Sequence, residues 1–370
     1  MISRNLFTAE ASTKQKFRRF LLYLSRKKGA KKSWNDRHSV VFQKHPEYGK
    51  YVTGGFEEKH KNLWGVFWGK VPVETLRICH AISGSPSPNM IPEEIFQADI
   101  EPSLNRLPEA HFLSNKSFYT KWLPDAGFPS CLIHKCDGSF YDSTYKSIPS
   151  GEVPDLVASF DYPVIMKPSV DSYGGSRVQI AGSDREVLNY MANKNNIVVQ
   201  ELLRQSPETA RYHFQSVNTV RVYLYRSVRD NRIHIINRAF RTGNGSSVDN
   251  VAAGGLVSLV RENGELNGYA LDRYGGKFDR HPVTNISFKN MLPNIKQLDQ
   301  LAKKVAGQLF NLRIIGLDLY CDENRKWNML EVNTRGHSIR FAQYHGHPFF
   351  SDFTDEVIQY CKENHWVYSA

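Results

Sequence analysis

The sequence predicts an α+β protein, and three observations set that class. Short β-type runs and helical runs follow one another without the strict strand–helix alternation of a doubly wound sheet. Two apolar runs ending at residues 319 and 333 flank a polar stretch at 321–327, which reads as a hairpin. A second hairpin is expected where residues 164–168 run through a glycine-bearing turn into residues 178–180. No internal repeat is present.

Taken in order, residues 1–90 form a basic, aromatic-rich front part that includes Trp64, Phe67 and Trp68. Within it, residues 14–32 read as a short helix with Phe17, Phe20, Leu21 and Leu24 along one side and cations around them. The proline- and serine-rich run at 83–92 is a connection. From residue 107 the pattern turns into a helix bearing Lys116 and Trp122, stopped at Gly127 and Pro129. Strands are expected at 130–134 and 164–167. A helix at 184–193 opens on the N-cap pair Ser183 and Asp184. An apolar strand at 197–199 ends at Gln200 and Glu201, where backbone groups are free to meet a purine edge. Strands at 219–225, 233–239 and 255–260 follow, then a helix at 295–310, the paired apolar strands and a closing helix at 353–364. This organises the chain as 1–90, 91–204 and 205–370.

At 370 residues with 41% hydrophobic residues, the chain can bury a substantial core and is not disordered. No apolar run approaches a membrane span, and lysine and arginine interrupt the N-terminus where a signal peptide needs an apolar core. Five scattered cysteines form neither a disulfide framework nor a zinc spacing, so a cytoplasmic location with reduced thiols is expected. The net charge of +11 is confined to the front: residues 1–70 hold 16 Lys/Arg against 5 Asp/Glu, and the rest is balanced at 32 each. One reading of residues 14–32 is docking to an anionic polymer or membrane, such as the inner face of a membrane. The other is a solvated helix packed on the body. Nucleic acid is not expected as a partner, because no recognised binding motif accompanies the charge.

The chemistry concentrates near the C-terminal hairpin. Glu331 and Asn333 are two apart, so on a strand they share a face, and Asp318 lies on the preceding strand. Three hard-oxygen side chains on neighbouring strands suit Mg²⁺, which takes a few protein oxygens and completes its shell with phosphate and water. Upstream, Lys167 closes a strand before Pro168 and the loop Ser169 to Arg177, which contains Gly174 and Gly175. Such a loop offers backbone N–H groups to phosphate, and the lysine adds a point charge. It is not the G-x-x-x-x-G-K-[ST] phosphate loop, since no Lys-Ser/Thr pair opens a helix there.

These features, in this order, resemble the ATP-grasp superfamily of ATP-dependent ligases over roughly residues 110–340. The resemblance implies two α+β subdomains sandwiching ATP. It implies that Lys116, Lys167, Ser169, Gly174 and Gly175 hold phosphates and that Gln200, Glu201 and Leu203 form the adenine hinge. Mg²⁺ would lie on Asp318, Glu331 and Asn333. Arg221 and Arg241 would clamp an acyl-phosphate intermediate, and Asn250 would sit in a substrate loop over it. Two stretches, Ile100 to Asn105 and Arg241 to Gly255, are most similar to ATP-grasp proteins associated with bacterial sugar-transfer and exopolysaccharide gene clusters. The implied reaction activates a small carboxylate, such as an amino acid, and joins it to a sugar-related amine. Two departures stand out: Arg177 occupies a place where glycine is commoner, and the first metal position is Asp318 and not Glu.

Other readings differ in chemistry. A phosphotransferase on the same scaffold would pass the γ-phosphoryl group to a hydroxyl, and a non-catalytic nucleotide-binding protein would dock through the basic front. His337, His345 and His347 cluster after the hairpin without a third ligand at zinc spacing, and no metal role is assigned to them. Arg335 and Arg340 follow the metal motif closely and are candidates to meet an anionic acceptor.

Overall fold

The computed structural model describes residues 2, 6–7, 11–50, 54–170, 177–245 and 254–368, the side chains of residues 109 and 111 aside. Among the described residues the strands form two sheets, both antiparallel throughout. The fold is α+β.

The first sheet contains β1 (Cys131–Cys136), β2 (Ser139–Asp142), β3 (Ser147–Ile148), β4 (Val164–Pro168), β5 (Gln179–Ala181) and β6 (Ile197–Glu201), in the order β3-β2-β1-β6-β4-β5. Side chains alternate across it. Val164, Met166, Ile197 and Val199 point to a core closed by Val157, Val187 and Tyr190 of two short helices. Lys167, opposite Val198, and Gln200, opposite Ile165, project from the other face. The helix Asp184–Ala192 begins where the N-cap signal places it. Ser183 makes no side-chain cap, and Glu186 Oε2 accepts from Gly182 N (2.6 Å) in its place.

The second sheet contains β7 (Thr219–Arg226), β8 (Ile233–Thr242), β9 (Leu256–Leu259), β10 (Ala270–Leu271), β11 (Lys277–Phe278), β12 (Ile314–Cys321) and β13 (Trp327–Asn333), in the order β11-β10-β9-β8-β7-β12-β13. One face, bearing Val220, Val222, Leu224, Ile315 and Leu317, packs on Leu298, Ala302 and Val305 of the helix Ile295–Gln308. On the opposite face Tyr223, Tyr225 and Ile314 join a core shared with Tyr23, Ala30, Trp64 and Trp68 and with the helix Thr354–Glu363. That core covers one end of the face and leaves the end with Arg221, Asp318 and Glu331 uncovered by it.

The N-terminal helix, α1 (Thr13–Lys44), is longer than the 14–32 segment. Ser12 and Gln15 form a capping box at its start, and the chain leaves the helix just before Pro46. Its buried line is Tyr23, Ala30, Trp34, His38 and Val41, while Phe17, Leu21 and Leu24 stay exposed. Hydrogen bonding selects that face. The Tyr23 hydroxyl donates to the buried Asp99 (3.0 Å), which also accepts from Trp68 Nε1 (2.8 Å) and meets His365 Nε2 (3.0 Å). The helix expected around Lys116 and Trp122 is broken into 3₁₀ turns at Pro108–Ser114 and Lys116–Phe118 and a single α turn at Tyr119–Trp122.

Candidate active site

Four neighbouring strands of the second sheet carry charged side chains on one face. Register places Asp318 opposite Arg221 on β7 and opposite Glu331 on β13, and Gly316 opposite Asn333. Arg241 on β8 lies two residues beyond Ala239, the partner of Arg221. All five side chains therefore point the same way. Gly316 leaves room here: a Cβ would lie 3.1 Å from the His337 ring, so that ring would have to shift by a few tenths of an ångström.

Arg221 holds Asp318 in a two-pronged bond, Nε to Oδ1 and Nη2 to Oδ2, both 2.6 Å. Arg241 Nη1 donates to Asp318 Oδ2 (3.2 Å), as does Asn333 Nδ2 at a longer 3.4 Å. Burial works to raise the Asp318 carboxyl, but Arg221 and then Arg241 outweigh it, so the group stays ionised well into acid.

The first sheet's side supplies two lysines. Lys116 N donates to Ser169 O (2.8 Å), which ties the lysine to the start of the glycine loop, and its Nζ donates to Glu331 Oε1 (2.7 Å). Lys167 is almost wholly buried, and among the described residues its ammonium has no hydrogen-bond partner. Burial first and repulsion from Lys116 second lower its pKa to about 8, partly offset by Glu331. Both lysines are thus coupled to Glu331 across the gap between the sheets.

Of the expected site residues, Lys116, Lys167, Arg221, Arg241, Asp318, Glu331 and Asn333 are brought together. Ser169 is buried at the base of this group. Gln200 shares the Lys167 face of the first sheet, and its Nε2 donates to Pro129 O (3.3 Å) and Cys131 Sγ (3.1 Å). Glu201 is exposed and Leu203 half-buried, where the chain leaves β6 and crosses to the second sheet through the Gln205–Asp322 bridge. Gly174, Gly175 and Asn250 lie outside the described residues.

The structure adds residues that carried no role in the sequence. Asn105 Oδ1 accepts from Arg313 N and Ile314 N (2.9 and 3.0 Å), and its Nδ2 donates to Ile314 O and Thr334 O (2.7 and 3.0 Å). One amide thereby fixes the start of β12 to the end of β13. Glu101 Oε1 accepts from His337 N (2.8 Å) and pairs with His337 Nδ1 (2.7 Å). The Ile100 to Asn105 stretch was the available signal, and its work is to brace the strands that bear Asp318 and Glu331. The Tyr119 hydroxyl spans Ser114 O (3.0 Å) and Val332 N (3.1 Å) beside Glu331.

Among the described residues no group of three His, Cys, Asp or Glu side chains is placed to hold a metal. The hairpin set is two carboxylates and an amide. Its donors nonetheless suit a hard cation: Glu331 Oε2 and Asn333 Oδ1 have no hydrogen-bond partner among the described residues, and Asp318 adjoins them.

A family model described as sugar-transfer associated ATP-grasp matches residues 188–351, which include Arg221, Arg241, Asp318, Glu331 and Asn333. No curated protein matches significantly. Solved structures similar to the chain include carboxyaminoimidazole ribonucleotide synthase from Aspergillus clavatus complexed with ATP, at 13% identity and a TM-score of 0.38, covering 64% of this chain and 50% of that one. The ATP-grasp ligase PsnB complexed with a minimal precursor matches at 16% identity and a TM-score of 0.40, covering 70% and 63%. An L-amino acid ligase from Bacillus licheniformis matches at 12% identity and a TM-score of 0.36, covering 62% and 42%. The chain thus spans between about two-fifths and three-fifths of these proteins' length. The family match thus places residues 188–351, with the charged face of the second sheet, as similar to the sugar-transfer associated ATP-grasp family.

Proposed function

We propose that the chain is an ATP-dependent ligase that activates a carboxylate as an acyl phosphate and joins it to an amine. The observation that carries this reading is the meeting of Lys116 and Lys167, from one side, with Glu331 of the second sheet. Cations and a carboxylate held together at the opening between two sheets are what a nucleotide triphosphate and its metal need.

In this reading Lys116 and Lys167 neutralise the α- and β-phosphates. Mg²⁺ would be held by Glu331, Asn333 and Asp318, and when bound it supplies charge neutralisation at the β- and γ-phosphate oxygens. Arg221 and Arg241 face the transferring phosphoryl group. Asp318 orients both guanidiniums, so little reorganisation is needed when charge develops. Ser169, with the phosphate role that the resemblance implies for Gly174 and Gly175, would meet the phosphates, and Gln200, Glu201 and Leu203 the adenine. Asn250 keeps the substrate-loop role that the resemblance implies, and an amine attacks the acyl phosphate with loss of inorganic phosphate.

The description "sugar-transfer associated" supports a sugar-related acceptor. The same proposal takes an amino acid or another small carboxylate as donor and the assembly of bacterial surface polysaccharide as the setting. We keep the organisation into 1–90, 91–204 and 205–370 as part of this reading, with a cytoplasmic location. The exposed Phe17, Leu21 and Leu24 among cations of α1 support contact of residues 14–32 with an anionic membrane or polymer. Among the described residues no helix is long and apolar enough to cross a membrane.

The test is release of ADP and phosphate from Mg·ATP in the presence of a small-metabolite extract and hydroxylamine, with Glu331→Ala as control. A hydroxamate formed by the wild type alone supports the ligase. A phosphorylated metabolite without free phosphate would replace this reading with a phosphotransferase.

A further inference from the structure

A cavity of about 880 Å³ opens between α1 and the second sheet, and Arg221 and Arg241 line its inner end. Its outer part is walled by Arg26, Trp34 and Arg37 of α1, by Arg273, and by Arg335 and Arg340 beyond β13. The lining thus holds seven arginines against three carboxylates, Asp36, Glu93 and Glu101. Glu101 is already engaged with His337 (2.7 Å). The volume is in the range of small-molecule sites.

Two of these arginines make no direct ion pair among the described residues. The guanidinium carbon of Arg37 lies 4.4 Å from the centre of the Trp34 ring, and that of Arg340 lies 5.9 Å from the same ring. Neither makes an ion pair or hydrogen bond among the described residues, and Arg340 Nε is buried with no partner. Arg340 repels the charge on Arg37. Glu93, buried behind them, has both carboxylate oxygens unpartnered. Burial pushes its carboxyl up to about 8, so at neutral pH it does little to cancel the arginines.

Arg37 is exposed and Arg340 half-buried. Solvent therefore screens part of the repulsion between two guanidiniums beside one indole, and an anion between them relieves the rest. A carboxylate has one charge and two oxygens and takes one guanidinium fork in full; a second guanidinium adds only a single longer bond, as Arg241 does at Asp318. A phosphoryl group carries nearly two charges and three strong acceptor oxygens, which matches two forks. We propose that this cavity is the acceptor pocket of the ligase and that it takes a phosphorylated acceptor. Its phosphoryl group sits between Arg37 and Arg340 beside Trp34, and its reacting end reaches Arg221 and Arg241. The proposal rests on the ligase reading. It gives the basic N-terminal segment a second role, with part of its charge turned inward as the wall of the pocket.

The experiment is calorimetric titration of the full chain, saturated with Mg·ADP to occupy the nucleotide phosphate sites. The probes are inorganic phosphate, pyrophosphate and, as a carboxylate control, succinate. The expected result is binding of the phosphoryl probes over succinate, weakened roughly tenfold or more in Arg37→Gln and in Arg340→Gln. Equal affinity for phosphate and pyrophosphate would mean a monoester ligand, and much tighter pyrophosphate a diphosphate. Retained Mg·ADP affinity in the variants shows that they fold. Succinate binding as tightly as phosphate, or variants that change nothing, overturns the proposal. Failure of Mg·ADP to bind the wild type would instead count against the ligase reading. The same titrations without ADP would then still decide whether Arg37 and Arg340 hold phosphate.

Discussion

Lys116 Nζ lies 2.7 Å from Glu331 Oε1, and this contact joins the segment leading into the first sheet to the last strand of the second. The lysine is almost fully buried, while the Glu331 side chain keeps 29% of its exposure. The pair therefore holds the site together while one carboxylate oxygen still faces the opening. Lys116→Met should weaken Mg·ADP binding at least tenfold and slow ATP turnover about a hundredfold, the usual effect of removing one charge-stabilising donor. Lys116→Arg should recover little of either, since a planar fork does not replace a compact ammonium in a buried slot. Nucleotide titration and phosphate release check both; full activity in Lys116→Met would remove this lysine from the site.

Asp318 and Arg221 test a different property. Their two-pronged bond is 4% and 19% exposed at the two side chains, so removing Arg221 leaves the buried Asp318 with only the longer contacts from Arg241 and Asn333. Arg221→Ala should lower stability by about 3 kcal/mol, the low end for a broken buried pair, because Arg241 still partners Asp318. The double variant Arg221→Met with Asp318→Leu should regain part of that stability, since Arg241 then loses its bond to Asp318, and none of the turnover. Urea melts with parallel assays separate the outcomes, and a double variant as unstable as the single one would show that the pair is not what the fold loses.

Lys167 sets a pH dependence with opposite signs for stability and for binding. Its folded pKa of about 8 lies below the unfolded value near 10.4, so between these the unfolded chain binds more protons. The cost of burying the ammonium is therefore fully present below about pH 8 and is relieved as pH rises toward the unfolded value. Phosphate binding needs the ammonium, so nucleotide affinity moves the other way. Mg·ADP affinity should fall roughly tenfold or more from about pH 7 to about pH 9.5, with proton uptake on binding in the upper part of that range. In Lys167→Met the affinity should be low and flat. Calorimetry in two buffers of different ionisation enthalpy measures the uptake, and a flat wild-type profile would contradict the role given to this lysine.

Much of this arrangement was legible because local patterns carry it. The polar run after Cys321 and the two-residue spacing of Glu331 and Asn333 place β12 and β13 within a residue or two and put both side chains on one face. Strand order is another matter. That β7 lies beside β12, setting Arg221 opposite Asp318, depends on pairing between segments far apart in the chain, which no local periodicity encodes. The N-terminal helix shows the same limit. Its apolar residues near Phe17 look like a packing stripe, but Asp99 and His365, supplied from elsewhere, select the Tyr23 face. The arginine cavity was equally hidden, because Trp34 and Arg340 meet only once the sheet and helix are assembled.

Asn105 offers a test of how much the site depends on its scaffold. Its side chain makes all four hydrogen bonds an amide can make, to backbone groups of residues 313, 314 and 334, and touches none of the proposed substrate groups. Asn105→Ala would leave buried donors and acceptors of both strand ends unpaired. At about 1–3 kcal/mol for each buried group so stranded, a net loss on the order of 3 kcal/mol is expected. Asn105→Asp keeps the acceptor for Arg313 N and Ile314 N but loses the two donors, so its loss should also be substantial. If Asn105 acts only by bracing β12 against β13, nucleotide affinity and turnover should fall together as the strand ends loosen. Both should recover partly when the variant is assayed in a stabilising osmolyte. Loss of turnover with unchanged melting and unchanged Mg·ADP affinity would instead place Asn105 in contact with the reacting groups.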